Sequence, residues 1–123
     1  MRIYIGHSRN YDYEKLLYQP IRHAAELAKY DIILPHETSA TADNSREFYQ
    51  SLDLVIAEVT YPATGLGIEL GWAFDSQVPI CCLYQSGAHV SGSLRAVTDQ
   101  FYEYRDPSEL IQLITQIIEA TST

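Results

Sequence analysis

Basic residues are scarce in this 123-residue chain: eight Lys and Arg stand against 16 Asp and Glu, a formal net charge of −8. That field repels a polyanion unless a local cationic face overrides it, and no Lys/Arg cluster interrupts the sequence. Nucleic acid is therefore not an expected partner. A small anion held by a few backbone N–H groups remains compatible with the charge. Cysteine is nearly absent as well. Cys81 and Cys82 are adjacent in an apolar run, where strand neighbours point to opposite faces and a bridge between them is sterically poor. They read as small buried hydrophobes. No apolar run reaches the length of a bilayer span, and no signal-peptide pattern precedes the strand-like start. The expectation is a cytoplasmic protein without membrane contact. Repeats, linkers and low-complexity tracts are also lacking. Residues 1–123 thus read as one domain, long enough to bury a core without disulfides or a structural metal.

What is present is an alternation of strand-like and helix-like segments. Arg2 to Gly6 is a β-rich run ending in glycine. From about Tyr13 to Ala28, Leu17, Ile21, Ala24 and Ala28 recur at helical spacing. Pro20 interrupts them, so either a kink or a helix starting at Pro20 after an irregular first turn is expected. Asp31 to Pro35 reads as a second strand, His36 to Asn44 as a loop, and Phe48 with Leu52 as a short helix. Asp53 to Val59 is an almost unbroken apolar strand, the pattern of a strand covered on both faces. A loop from Thr60 to Gly67 leads into a helix expected over about Leu66 to Ser76. Pro79 to Tyr84 is a fourth strand, residues 85–99 a loop with one helical turn, and Phe101 to Tyr104 a fifth strand. The last helix has the clearest start: Asp106 as N-cap, Pro107 at its first position and Glu109 completing a capping-box pattern. Leu110, Leu113, Ile114 and Ile117 form its apolar face.

This order predicts an α/β, flavodoxin-like (Rossmann-like) three-layer sandwich with a five-stranded parallel sheet in the order 2-1-3-4-5. Ligands in such sheets bind beyond the carboxyl ends of the strands at the switch point, here between strands 1 and 3. Two loops are singled out, Gly6 to Tyr13 and Thr60 to Glu69. In the second, Gly65 and Gly67 would let the backbone turn and approach a ligand, and free N–H groups would favour an anion. Glu69 is expected in the first helical turn, where the helix dipole favours its ionised form. An ionised carboxylate aimed into a cleft suits nucleophilic attack or stabilisation of an oxocarbenium-like centre. Spacing alone also allows a plain structural role, since glycines before a helix and a first-turn Glu are common.

The run from Asp53 to Gly71, through Glu58-Val59-Thr60-Tyr61-Pro62-Ala63-Thr64-Gly65-Leu66-Gly67-Ile68-Glu69-Leu70, resembles the signature of the nucleoside 2-deoxyribosyltransferase-like superfamily. It looks most like the 2′-deoxynucleoside 5′-phosphate N-hydrolase branch. The strand Pro79 to Tyr84 and the start Ile3-Tyr4-Ile5-Gly6 fit the same pattern. The resemblance implies cleavage or transfer at an N-glycosidic bond of a nucleoside or nucleoside 5′-monophosphate, with Glu69 attacking the anomeric carbon. It also implies no metal or organic cofactor, and a homodimer or higher homo-oligomer.

Some positions depart from that family. Its acid/base Asp stands eight residues before the Asp that opens strand 3, and Ser45 occupies that place here. A serine cannot act as a general acid at neutral pH. Asp43 is the nearby carboxyl that could stand in, while Ser45 also reads as an N-cap for residues 46–52. The family's phosphate-binding Ser and Arg after strand 1 correspond to His7 and Arg9, with Ser8 between them. The Ser after the loop proline Pro62 is Ala63 here, with the Thr64 hydroxyl beside it. A late-loop Ser donated across the family's dimer interface corresponds to Ser91 or Ser93. His36 and Glu37 at the end of strand 2 read either as a pair orienting a sugar or as a turn after Pro35. Tyr11 and Tyr13 could stack on a base, whereas Trp72 reads as core or interface. A non-catalytic nucleotide-binding module that lost its proton donor is the main alternative. An NAD glycosidase is weaker, because the loops are short, and a phospho-receiver domain is weaker still, because Gly6-His7-Ser8 offers no acidic cluster.

Overall fold

Strands whose successive apolar residues point to opposite, covered faces build the sheet. In the computed structural model, which describes residues 1–37 and 46–122, β1 (Arg2–His7), β2 (Asp31–Ile33), β3 (Leu54–Glu58), β4 (Ile80–Gln85) and β5 (Phe101–Tyr104) pair in parallel. Their order is β2-β1-β3-β4-β5, as expected. Ile3 lies opposite Ile32 on one side and Leu54 on the other, so β1 and β3 form the centre. Ile3, Ile5, Leu54, Ile56 and Leu83 face one layer; Tyr4, Val55, Ala57 and Cys82 face the other. Both faces are covered, which is why β3 reads as a continuous apolar run. Cys81 and Cys82 accordingly belong to opposite layers and are not bridged, and burial pushes the Cys82 thiol up to about 12.

One layer holds α1 (Gln19–His23) and α4 (Pro107–Ser122); the other holds α2 (Arg46–Gln50) and α3 (Thr64–Asp75). Among the described residues no helix is long and apolar enough to cross a membrane. The start of α4 agrees with the sequence pattern: the Asp106 carboxylate accepts the Glu109 N–H at 2.9 Å. The capping box is displaced by one residue, because the Glu109 carboxylate turns back to the N–H and guanidinium of Arg105. Asp106→Ala is expected to cost about 1 kcal/mol, read as a lower midpoint in urea at an unchanged m-value.

One expectation is met at its start, and three boundaries change. A π-helical turn (Glu14–Tyr18) precedes α1, close to the expected helix starting at Pro20 after an irregular first turn, but α1 stops short of Ala28, ending at Ala24 in an extended conformation (φ −82°, ψ 111°). Pro20 sits in the first turn of α1, where its missing N–H costs nothing. Strand β2 stops at Ile33, before Leu34 and Pro35, because Pro35 enters a turn closed by Glu37 N–H to Leu34 O at 3.2 Å. Helix α3 begins at Thr64 rather than Leu66. Glu69 is therefore in its second turn, beyond the reach of the terminal dipole invoked for it. Ser45, read as an N-cap for residues 46–52, lies outside the described residues.

Candidate active site

Helix α3 turns Leu66, Leu70 and Ala73 onto the sheet, and Glu69 falls on the same i, i+3, i+4, i+7 stripe. A carboxylate thus occupies an inward position, above the carboxyl end of β1. There Tyr4, on the α3 side of the sheet, donates its hydroxyl to Glu69 Oε2 at 3.1 Å and also lies 3.4 Å from Oε1. The Tyr49 hydroxyl of α2 also acts on this carboxyl, favouring its charged form. Tyr4, Phe48 and Tyr49 lock edge-to-face, with centroids 5.2–5.6 Å apart, so both hydroxyls are held rigidly. Burial lifts the Glu69 carboxyl above its ordinary range, and the two tyrosine hydroxyls offset only part of that. Burial likewise pushes Tyr4 far up, with the Glu69 charge adding to it, so Tyr4 stays a donor. The expected support for Glu69's ionised form, the dipole, is replaced by the hydroxyls of Tyr4 and Tyr49.

Glu69 borders a cleft of about 470 Å³ between the loop after β1 and the start of α3. Its other wall is the 8–11 turn, closed by Tyr11 N–H to Ser8 O at 3.3 Å, with Arg9 and Asn10 at its tip. His7, Ser8, Arg9 and His36 all line the cleft, as do Pro62 and Gly65. His7 Nδ1 faces the Ser8 carbonyl at 2.9 Å, which makes it the protonated nitrogen; Nε2 then accepts the Tyr18 hydroxyl at 2.7 Å. Tyr18 in turn accepts the His36 N–H at 3.0 Å. Burial keeps the His7 imidazole below its ordinary range and does the same to His36, with the Arg9 charge adding to both. The wall opposite Glu69 therefore carries one exposed guanidinium beside two imidazoles held toward neutrality, a suitable corner for an anion.

Several sequence-derived residues lie elsewhere. Gly6 is beneath the cleft: a Cβ there would stand 2.9 Å from Leu66 Cδ1, so glycine allows β1 and α3 to close together. Tyr13 stacks on His7 at 4.4 Å and braces it from behind. Tyr11 is not available to a base, being 2% exposed with its hydroxyl 2.7 Å from that of Tyr104. The proposed His36–Glu37 pair does not form, because Glu37 takes a two-pronged bond from Arg22 at 2.6 and 2.8 Å. Thr64, Gly67, Ser91 and Ser93 line a neighbouring groove of about 320 Å³ instead. A Cβ at Gly65 or Gly67 would meet nothing within 4 Å, and neither has a positive φ, so neither is required for a tight turn. Trp72, expected in core or interface, also lines the cleft. Asp43, like Ser45, lies outside the described residues. Tyr4 and Tyr49 are site residues that the sequence does not announce; their alternation with Ile3 and their aromatic spacing carry no sign of Glu69 until α3 is placed.

No protein-family model matches the chain. A Methanosarcina barkeri protein provisionally named 2′-deoxynucleoside 5′-phosphate N-hydrolase 1 is 38% identical over 71 residues, covering 55% of this chain and 45% of that protein. The 5-hydroxymethyl-dUMP N-hydrolase of Homo sapiens is 38% identical over 80 residues, covering 60% of this chain and 45% of its own. The chain spans about half the length of the curated relatives it matches. Among solved structures, the Clostridium botulinum CMP N-glycosidase BcmB matches with a TM-score of 0.64 at 20% identity, over 93% of this chain and 98% of that one, which shows a shared fold. The resemblance stated from the sequence is thereby borne out: this chain is similar in sequence to proteins named as 2′-deoxynucleoside 5′-phosphate and 5-hydroxymethyl-dUMP N-hydrolases.

Proposed function

We propose that the chain cleaves the N-glycosidic bond of a nucleoside 5′-monophosphate, with Glu69 as the nucleophile. The observation that carries this reading is a half-buried carboxylate, bonded by the Tyr4 phenol, across a cleft from a guanidinium. The relatives named as nucleotide N-hydrolases supply the reaction class. Glu69 attacks C1′ and the C1′–N bond breaks, its electron pair leaving with the base. Water then adds at C1′, the ester to Glu69 opens, and a proton is released. Asp43, two residues before the family position held by Ser45, is assigned the proton delivered to the departing base. Arg9 and Ser8 receive the phosphate, with His7 and His36 beside them. Pro62 and Gly65 border the sugar. A homodimer belongs to the same reading: Phe74 of α3 is 55% exposed, an apolar group on its outer side suited to a second copy. In that dimer Thr64, Gly67 and Ser91 or Ser93 would border the partner's site. The free, protonated thiols suit a reducing, cytoplasmic setting.

Ser45 favours a second reading, a nucleotide-binding module without turnover. A base-release assay separates the two. The protein is incubated with ribo- and deoxyribonucleosides, their 5′-monophosphates and NAD, and free base is quantified chromatographically. Release from monophosphates above all supports the hydrolase. Thermal stabilisation by a nucleotide that is never consumed establishes the binding module instead.

Tyr4→Phe removes a donor from the Glu69 carboxylate while keeping the ring. Base release is expected to slow about tenfold, and the acid limb of its pH profile to move to higher pH. An unmoved limb would detach Tyr4 from Glu69.

A further inference from the structure

Glu58 ends β3 and is 1% exposed, yet no step of the proposed reaction uses it. It pairs with His7 across the β1–β3 ladder, beneath both loops that wall the cleft. Three donors converge on its carboxylate: the Thr60 N–H at 2.8 Å, the Thr60 hydroxyl at 2.7 Å and the Tyr104 hydroxyl. Since Tyr104 donates to Glu58, the Tyr11 hydroxyl, 2.7 Å away, must donate to Tyr104. Thr60 Oγ1 also accepts the Gln85 N–H at 3.0 Å. One carboxylate therefore ties the end of β3 to β4, to β5 and, through Tyr11, to the base of the turn that carries Arg9.

That convergence requires a group that only accepts. An amide would aim N–H groups either at the Thr60 N–H, which cannot reverse, or at the hydroxyls. Reversing the hydroxyl chain would leave the Tyr11 proton, in a residue 2% exposed, without its acceptor. We propose that Glu58 is a positioning residue that fixes the spacing between the 8–11 turn and the 60–63 segment, the two walls of the cleft. The purpose of that spacing rests on the N-glycosidase reading; the spacing itself does not.

Hydrogen exchange on the free, full chain tests it with Glu58→Gln, Tyr11→Phe and, as a control, Ile114→Val, which trims a fully buried residue of α4. At a matched loss of melting temperature, amides of 8–13 and 60–63 are expected to exchange about tenfold faster in Glu58→Gln than in the control. Tyr11→Phe, which keeps its ring in the core, is expected to speed 8–13 alone, and it carries the comparison should Glu58→Gln fail to fold. Uniform acceleration like the control's, or a change confined to 58–60, overturns the proposal. No substrate enters this measurement, so it decides even where wild type releases no base. Where wild type releases base from dUMP or CMP, Glu58→Gln is expected to raise KM about tenfold with kcat within about twofold. A fall in kcat at constant KM would overturn the positioning role.

Discussion

Glu69→Gln is expected to release base at least about 1,000-fold more slowly than wild type, since the amide offers no nucleophile. The same variant is expected to melt higher at pH 7, by roughly 2–5 °C. The folded protein raises the Glu69 pKa, so the protonated carboxyl is the form the fold prefers. The stability it contributes is complete below the unfolded pKa and is lost as pH rises through the folded one. Above the raised folded pKa both states carry the charge, and the fold bears the cost of burying it. The neutral amide would carry no such cost, so the advantage of the variant should shrink as pH falls through the raised pKa. Thermal melts from pH 7 down to pH 4 check the sign. Undiminished base release would remove Glu69 from the mechanism. A melting point below wild type at every pH would mean that the bonds from Tyr4 and Tyr49 outweigh the buried charge.

Arg9→Ala is expected to lower kcat/KM for a nucleoside 5′-monophosphate about 100-fold, the loss of a charge-assisted pair worth about 2–3 kcal/mol. Turnover of the matching unphosphorylated nucleoside should change little. The informative quantity is the ratio of the two substrates, measured at one fixed salt concentration, because an exposed guanidinium is screened. Equal losses on both substrates would place Arg9 in the architecture of the 8–11 turn rather than on the phosphate.

The sheet order, β5 and the start of α4 are legible because each rests on local signals: apolar alternation, and the adjacent Asp106 and Pro107. The site is legible in its parts but not in its assembly. Gly65 and Gly67 depress helix propensity and draw the expected start of α3 to Leu66. The two-residue error disguises Glu69 as a first-turn residue, when it belongs to the stripe of Leu66, Leu70 and Ala73. Glu37 reads as the companion of its neighbour His36, but its partner Arg22 is 15 residues away in sequence. Such pairings depend on how β2 meets α1, which no local pattern encodes. Glu58 reads as one more residue of a strand motif; its role depends on Tyr104, 46 residues later.

The strand order also bears on how the chain folds as it is made. β1 emerges first but occupies the second place in the sheet, and its long flank waits for β3, whose Leu54 pairs with Ile3. The layer over Ile3, Ile5, Leu54 and Ile56 waits longer still, for Leu110, Ile114 and Ile118 of α4. During synthesis, the half of the sheet behind the cleft is covered by α1 and its flanking turns alone after β1, β3 and α3 have been made. A nascent chain stalled before α4 would therefore present an apolar sheet surface, a natural substrate for chaperones.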